Sequence, residues 1–232
     1  MPRPRKNPSL KFDEQLSHLQ KPVREEMTDK QYELFNKNVE TMQKNWGFIN
    51  NLFKVLPLNA SQYEGFLYFK ASLFTPETCY LSNADKEMMG LVVSSANGCT
   101  YCLTTHGDIL RGLTGDPEWV DHLTYNYRTA KLTRKQRALC DYAYFVTTSP
   151  REIDADQVGK LRKAGFNDHE ILEAAFAVGF FNYTNRWVST IDPKPNSGHF
   201  SHNREIKETK ETKRRVTRRT TRTTKRGAKA EK

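Results

Sequence analysis

The sequence predicts an all-α fold with disordered termini, and three observations support that prediction. Apolar residues recur at three- and four-residue spacing along the body, no run keeps a two-residue alternation, and capping residues, glycines and prolines bound the periodic segments. The 232 residues divide into an N-terminal extension, partly helical, over 1–26, an all-α domain over 27–192 and a basic disordered tail over 193–232. A body of about 190 residues is long enough to bury a sizeable core.

Each predicted helix is bounded by its own start and stop signals. Thr28 begins the first helix, Ser61 the third, and Thr133 a later one with Gln136 at the capping-box position. Gly112 is the predicted stop of the helix that carries the motif described next. The predicted helical segments span about 28–46, 48–55, 61–75, 83–95, 117–123, 133–146, 155–163 and 168–188. The segment 83–95 leads into a further helix, which carries the motif and ends near 110.

The most informative pattern is a pair of cysteines with a histidine and an acid at helical spacing. Cys99 and Cys102 lie three residues apart, His106 follows four residues later, and Glu87 lies twelve residues before the first cysteine. Positions three and four apart share one face of a helix, so the two thiols and the imidazole should form one stripe. If the helix starts at 97–98, Cys99 lies in its first turn, where free N–H groups favour a thiolate. A thiolate can attack an oxidant, and its neighbour can then close a disulfide.

Other interpretations of these residues stay open. Two cysteines on a helix are often small buried hydrophobes, and a single histidine is often a satisfied core residue. Cys99, Cys102 and His106 could also bind zinc, with Glu87 or His122 as the fourth ligand. Structural zinc sites usually take their four ligands from two pairs, and the sequence has no second such pair. Redox chemistry is therefore favoured over a metal site.

The segment 87–106, Glu-Met-Met-Gly-Leu-Val-Val-Ser-Ser-Ala-Asn-Gly-Cys-Thr-Tyr-Cys-Leu-Thr-Thr-His, resembles the core motif of AhpD-like alkylhydroperoxidases. These proteins belong to the carboxymuconolactone decarboxylase superfamily, and the pattern is most similar to its peroxidase-related branch. The similarity continues upstream at 46–53 and downstream at 161–172 and 181–186. It covers about 27–191, which implies an AhpD-like helical domain.

The resemblance implies a thiol-dependent peroxidase or disulfide oxidoreductase. Hydroperoxides would be reduced through a Cys99–Cys102 dithiol/disulfide cycle, with His106 and Glu87 as the proton relay. A dithiol, or a reductant of the thioredoxin or lipoyl type, would reduce the disulfide. No metal or cofactor is expected. The resemblance also implies that the protein forms a homo-oligomer. Helix position favours Cys99 as the thiol of lower pKa, although burial could reverse this.

One residue departs from the pattern of the best-known AhpD proteins, which carry a histidine immediately before the second cysteine. Tyr101 stands at that place. A tyrosine with an ordinary pKa near 10 cannot share a proton relay at neutral pH as a histidine does. The predicted relay is therefore reduced to Glu87, His106 and the thiols.

Two alternative functions remain. A decarboxylase or lactone-processing enzyme of the same superfamily would not need the cysteine pair, so its presence argues against that class. A non-enzymatic redox sensor that binds a polyanion would act through the C-terminal tail.

The remaining cysteines and the N-terminus bear on the compartment. Cys79 and Cys140 are isolated in apolar surroundings and are interpreted as packed core thiols, so the four cysteines do not form a disulfide framework. No apolar run approaches the length of a membrane span, and no apolar stretch follows the N-terminal residues as in a secretory signal. The expected location is the cytoplasm.

The positive charge is concentrated at the C-terminal end. Residues 203–232 contain thirteen Lys or Arg and four Glu, a net charge of +9, whereas the whole chain carries +10. This segment has too few apolar side chains for their burial to offset the conformational entropy lost on folding. The composition therefore predicts that it is disordered. The tail would be either a solvated solubility segment, a nuclear address or a non-specific contact to nucleic acid or another polyanion. Residues 203–232 contain no aromatic residue with which to stack bases.

Overall fold

A computed structural model describes residues 15–205, and this range is helical without strands, which confirms the predicted all-α class. Short 3-10 turns join several of the helices, and the first of them, Arg24–Glu26, is the helical part of the N-terminal extension within the described range. The α-helices are α1 (Asp29–Trp46), α2 (Asn51–Val55), α3 (Ala60–Phe74), α4 (Asn83–Asn97), α5 (Thr100–Thr114), α6 (Pro117–Asn126), α7 (Arg134–Thr148), α8 (Ala155–Ala164), α9 (Asp168–Ile191) and α10 (Gly198–Ser201).

Two of the predicted helix caps are confirmed and one is wrong. Thr28 caps α1 and Thr133 caps α7, each in a reciprocal capping box with the glutamine three residues later. Helix α3 begins earlier than predicted, because the Asn59 side chain, rather than Ser61, accepts the N–H of Gln62. Asparagine is among the strongest N-cap residues, so it competes effectively with the nearby serine.

The predicted end of the motif helix is also wrong. Helix α5 continues through Gly112 to Thr114 and ends at Gly115, which adopts the left-handed conformation with φ 67°. Gly112 lies inside the helix, where a Cβ atom would come 3.1 Å from Nδ2 of Asn203. The glycine at 112 therefore admits a close neighbour instead of ending the helix.

Helix α4 is the centre of the domain. It packs against α5, α6, α7 and α9, and every residue from 86 to 94 is buried. Leu91, Leu110, Leu139 and Phe181 belong to the main core around it. A second, smaller apolar cluster contains both motif cysteines, together with Met42, Leu52, Phe53, Tyr63, Tyr101 and Val188. The cysteines therefore lie where the N-terminal helices meet the central bundle.

The C-terminal segment corrects the predicted start of the tail. Residues 193–205 pack onto the body, and His199 in α10 is fully buried. The backbone also joins the two ends of the described range, since Ile191 accepts the N–H of His18 and Leu16 accepts the N–H of Lys194. Partners on α5 hold this segment, and composition alone does not reveal them. The tail predicted beyond 205, and residues 1–14, lie outside the described residues.

Over residues 15–205, none of the helices has both the length and the apolar character required to cross a lipid bilayer.

Candidate active site

Cys99 and Cys102 are joined by a disulfide at the junction between α4 and α5. Gly98 makes this junction possible, because it ends α4 in the left-handed conformation with φ 68°. Cys99 is then the N-cap of α5, one position before the first turn in which the sequence analysis placed it. Its sulfur accepts the N–H of Cys102 at 3.4 Å. In the reduced protein the same position would favour a thiolate, since helix N–H groups and the dipole stabilise negative charge there.

Glu87 and His106 form a close pair across α4 and α5. Oε2 of Glu87 lies 2.7 Å from Nδ1 of His106, and the carboxylate is nearly buried whereas the imidazole is 20% exposed. When Nδ1–H donates to the carboxylate, the imidazole presents Nε2 as an acceptor. The edge of the Phe181 ring supports the imidazole, with 4.9 Å between the ring centroids. This arrangement can take up and return a proton at Nε2.

A cavity connects these groups. Its volume is about 60 Å³, which is room for a few water molecules or a small organic group. Cys102, Glu87 and His106 line it, and Cys99 lies behind Cys102 through the disulfide. The structure thus brings all four predicted site residues together, with Cys102 as the cysteine on the cavity wall. Most of the remaining wall is aromatic or aliphatic: Trp46, Leu52, Phe53, Phe66, Phe74, Ile109, Phe180, Trp187 and Val188.

Tyr101 lies on the cavity wall beside the disulfide and is almost fully buried. Burial raises the pKa of its phenol far above the usual value. The phenol therefore stays neutral at any physiological pH, which agrees with the expectation that it does not share in the proton relay.

Lys70 is a cavity residue that the sequence analysis missed. It comes from α3, after a run of mainly aromatic residues, and lines the same cavity as Cys102. Burial lowers the pKa of its ammonium group, while attraction to the Glu87 carboxylate opposes that effect. A lysine in this position has no distinctive sequence signal, because most lysines at such helix positions face solvent.

A second carboxylate–imidazole pair, also missed, lies deeper in the fold. Nδ1 of His199 is 2.7 Å from Oδ2 of Asp108, and both side chains are fully buried. Nε2 of His199 is 2.7 Å from Oδ1 of Asn50, which is itself a cavity residue. Arg111 donates to the His199 carbonyl oxygen at 2.6 Å, and Asn203 donates to Asp108 at 2.9 Å. The C-terminal segment is thereby fixed to the back of the cavity wall.

The other residues considered from sequence lie elsewhere. Nδ1 of His122 on α6 contacts Oγ1 of Thr129 at 3.3 Å, so the zinc ligand set that included it is not assembled. Between residues 15 and 205 no group of three His, Cys, Asp or Glu side chains is placed to hold a metal ion. Cys140 is a buried core thiol as predicted, whereas Cys79 is only half-buried and the prediction of a core thiol is wrong there. The Cys79 sulfur lies near the Leu73 carbonyl, at the surface loop after α3.

Comparison with known proteins shows the family to which the chain belongs. The model of the carboxymuconolactone decarboxylase family matches residues 63–126, which include the motif and the helix before it. A solved "uncharacterized peroxidase-related protein" from Silicibacter sp. TM1040 has 35% sequence identity and a TM-score of 0.74 over 82% of this chain and 96% of that one. No curated protein is significantly similar in sequence. The chain belongs to the carboxymuconolactone decarboxylase superfamily, among its AhpD-like peroxidase-related proteins.

Two further solved structures share the fold. One, from Ralstonia eutropha JMP134, is described as "alkylhydroperoxidase AhpD core: uncharacterized peroxidase-related protein"; it has 28% identity and a TM-score of 0.76 over 83% of this chain and 99% of that one. The other is the debrominase Bmp8, with 19% identity and a TM-score of 0.63 over 83% of this chain and 97% of that one. At that identity the likeness to Bmp8 concerns the fold alone.

Proposed function

We propose that this protein is a thiol-dependent peroxidase that reduces hydroperoxides through a Cys99–Cys102 dithiol/disulfide cycle. The observation that supports it most is the shared cavity, in which the Cys102 sulfur, joined to Cys99, faces the same small space as the Glu87–His106 pair. A nucleophile, a base and the group that orients the base then line one cavity, and these are the groups that nucleophilic catalysis requires.

The proposed cycle begins with both cysteines reduced. Nε2 of His106 takes the proton of the Cys102 thiol, and the thiolate attacks the distal oxygen of the hydroperoxide. The O–O bond breaks, Cys102 becomes a sulfenic acid, and the leaving alkoxide takes the proton from His106 to become an alcohol. The Cys99 thiolate then displaces hydroxide from the Cys102 sulfur, and the thiol proton of Cys99 completes a water molecule.

The geometry bears on which cysteine attacks, a question that the sequence left open. Cys102 lines the cavity, whereas Cys99 lies behind it at the N-cap of α5. We assign the attack to Cys102 and the resolving step to Cys99. The N-cap position suits the resolving role, since a stabilised thiolate at Cys99 is ready to attack the sulfenic acid. A dithiol of the thioredoxin or lipoyl type would then reduce the disulfide.

The test is a single-turnover reaction of the reduced protein with cumene hydroperoxide, followed by intact mass. The wild type should lose two hydrogens, mapped to Cys99–Cys102. Cys102→Ser should not react, and Cys99→Ser should stop at a sulfenic acid that a dimedone probe traps. Cys79→Ser, which alters a half-buried thiol away from the cavity, is the matched control and should behave as wild type. Peroxide consumption by Cys102→Ser at the wild-type rate would exclude the mechanism.

Reductive dehalogenation is the second candidate. A fold neighbour is the debrominase Bmp8, of which a cysteine-to-alanine variant was solved in complex with 2,3,4-tribromopyrrole. The wall of the present cavity includes the aromatic side chains of Phe53, Phe66 and Trp187, and a flat ring could stack on such faces if the cavity widened on binding. Release of bromide from 2,3,4-tribromopyrrole in the presence of a dithiol, faster than peroxide reduction, would favour this candidate. The decarboxylase and polyanion-sensor alternatives receive no comparable support, because neither uses the thiol, base and acid around this cavity.

We also propose that the protein forms a homo-oligomer through α9. Leu172, Phe176 and Tyr183 are each more than half exposed and are spaced by four and seven residues along one helix face. Such an exposed apolar stripe is typical of an interaction surface. Light scattering at micromolar concentration should show an assembly, and Phe176→Glu should dissociate it. A monomeric wild type would contradict this proposal.

A further inference from the structure

Three residues on the wall of the cavity beside Cys102 carry a buried polar atom that has no hydrogen-bond partner. In the part of the chain that the structure describes, four buried side-chain polar atoms lack a hydrogen-bond partner: Oη of Tyr63, Oη of Tyr101, Oγ1 of Thr105 and Nε1 of Trp187. All of these except the Tyr63 hydroxyl belong to residues that line this one cavity, where the Tyr101 phenol lies close to the Thr105 side chain and to the Leu52 backbone. Buried polar groups normally find partners, because an unpaired one is costly, so a cluster of them marks a place where a ligand completes the bonding.

Lys70 adds a positive charge to this cluster. Its ammonium group lies 5.8 Å from the centroid of the Phe53 ring and is attracted to the Glu87 carboxylate. Apart from these two interactions, it makes no hydrogen bond or ion pair with residues 15–205. The side chain of Lys70 is half-buried, and this burial lowers the pKa of the ammonium group while the Glu87 carboxylate opposes the change.

Two groups on this cavity, the Trp187 indole and the Lys70 ammonium, can only donate, whereas the Tyr101 and Thr105 hydroxyls can donate or accept. The carboxylate of Glu87 is already held by His106 at 2.7 Å. The chemistry that satisfies such a set is an oxygen carrying negative charge. In the proposed peroxidase reaction that oxygen arises when the O–O bond breaks next to the Cys102 sulfur.

We infer that Lys70, with Tyr101, Thr105 and Trp187, forms an oxyanion site that stabilises the alkoxide leaving from an alkyl hydroperoxide, an inference that rests on the proposed peroxidase function. The Cys102 thiolate forms the S–O bond, and the electron pair of the O–O bond moves to the oxygen that bears the alkyl group. Lys70 donates a hydrogen bond to this oxygen as its charge develops, and the proton that completes the alcohol comes from His106. The site favours substrates with strongly basic leaving groups, because these develop the most charge.

The first test compares two oxidants on the reduced protein. Cumene hydroperoxide releases a strongly basic alkoxide, whereas peracetic acid releases a weakly basic carboxylate. Lys70→Met should slow disulfide formation by about 100-fold with cumene hydroperoxide and little with peracetic acid, and Lys70→Arg should restore most of the rate. Lys44→Met removes the same charge from an exposed position on α1 and should match the wild type. An equal loss with both oxidants would show a merely structural role and overturn the inference.

The second test does not depend on turnover. Calorimetric titration of the disulfide form should show that benzoate binds about tenfold more tightly than the neutral benzamide. This preference for benzoate should disappear in Lys70→Met and weaken in Thr105→Val. Thr105→Val keeps the shape of the side chain, so it provides the test if Lys70→Met does not fold. Equal binding of the two probes, or no binding of either, would overturn the anion site. Selective benzoate binding without reaction toward either oxidant would retain the anion site but remove the peroxidase proposal and, with it, the leaving-group role.

Discussion

The Glu87–His106 and Asp108–His199 pairs contain the same two groups at the same distance, yet their surroundings differ. In each, a carboxylate oxygen lies 2.7 Å from Nδ1 of the imidazole. His106 is partly exposed on the cavity, and its Nε2 has no hydrogen-bond partner among residues 15–205. His199 is fully buried, and Asn50 occupies its Nε2. The second ring nitrogen of His106 is therefore free to exchange a proton with a molecule in the cavity, whereas that of His199 is not.

The two pairs also differ in how the chain brings them together. Glu87 and His106 are 19 residues apart on consecutive helices, whereas Asp108 and His199 are 91 residues apart. The local pair requires only the turn at Gly98. The distant pair joins the C-terminal segment to the body, so its main effect should be on the free energy of unfolding. The following predictions test this division between chemistry and stability.

The largest effect is expected at the cavity pair. His106→Ala and Glu87→Gln should each slow disulfide formation by roughly 100- to 10,000-fold, because they remove the base or the group that orients it. Stopped-flow mixing of the reduced protein with cumene hydroperoxide measures the rate, and a pH profile of thiol alkylation reports thiolate formation. His199→Ala serves as the matched histidine control and should retain the rate per folded molecule. An unchanged alkylation profile in both cavity variants would mean that the helix end alone activates the thiol.

The next effect is on stability. His199→Ala should lower the free energy of unfolding by about 3 to 5 kcal/mol, because it leaves the buried Asp108 without its partner. Urea denaturation followed by circular dichroism measures the change. His202→Ala is the control, since His202 is partly exposed and lies 3.7 Å from the same carboxylate. A loss as large in His202→Ala as in His199→Ala would mean that the segment as a whole, and not the buried pair, carries the stability.

The carboxylate of Glu173 provides a third case, in which the contribution to stability should depend on pH. Burial by itself would raise the pKa of Glu173, but hydrogen bonds from Lys86 and the N–H of Tyr80 prevail and lower it below its usual value near 4.5. The folded state thus holds the proton less tightly than the unfolded state, so this stabilisation is present above pH 4.5 and is lost as the pH falls. Glu173→Gln should lower the free energy of unfolding by about 2 kcal/mol at pH 7. This difference in free energy between the variant and the wild type should shrink below pH 4.5.

The control for this prediction is Glu64→Gln. Glu64 pairs with Lys30 on the surface, and such pairs contribute little to stability. Glu64→Gln should change the free energy of unfolding by no more than about 0.5 kcal/mol across the pH range. A difference between Glu173→Gln and wild type that stays constant from pH 7 to pH 3 would contradict the assignment of a lowered pKa to Glu173.

The smallest effect on the site is expected from removing 206–232. This truncation should leave the reaction rate and stability unchanged but remove binding to duplex DNA, because nearly all the net charge lies near the C-terminus. Binding of the full chain should weaken steeply with salt. Truncation after residue 192 also deletes His199 and Asn203 and should destabilise the protein. Equal DNA binding by the full chain and the 1–205 form would place the contact on the folded body.

The sequence predicts features that depend on short spacing. The caps Thr28 and Thr133 and the grouping of Glu87 with Cys102 and His106 follow from helical periodicity over one or two helices. These features need little information about tertiary packing.

Features that depend on contacts between distant segments were not predicted. The Asp108–His199 pair has no local sequence signal. Its second member, His199, lies next to a basic segment whose composition predicts disorder, so the sequence gives no sign that His199 is buried. Lys70 becomes a cavity residue only because α3 packs over the motif. The wrong stop at Gly112 has the same cause, because this glycine accommodates the neighbouring Asn203 and does not end the helix.

Gly90 has a consequence for reading this family's sequences. The ring of Phe181 on α9 fills the space that a Cβ atom at position 90 would occupy, and the same ring supports the imidazole of His106. A substitution at 90 or 181 should therefore shift the imidazole of His106 even when Glu87, both cysteines and His106 itself are unchanged. Two homologues with the same acid, cysteines and histidine can consequently hold the imidazole differently, so positions 90 and 181 should be inspected as a pair before an activity is inferred from those four residues.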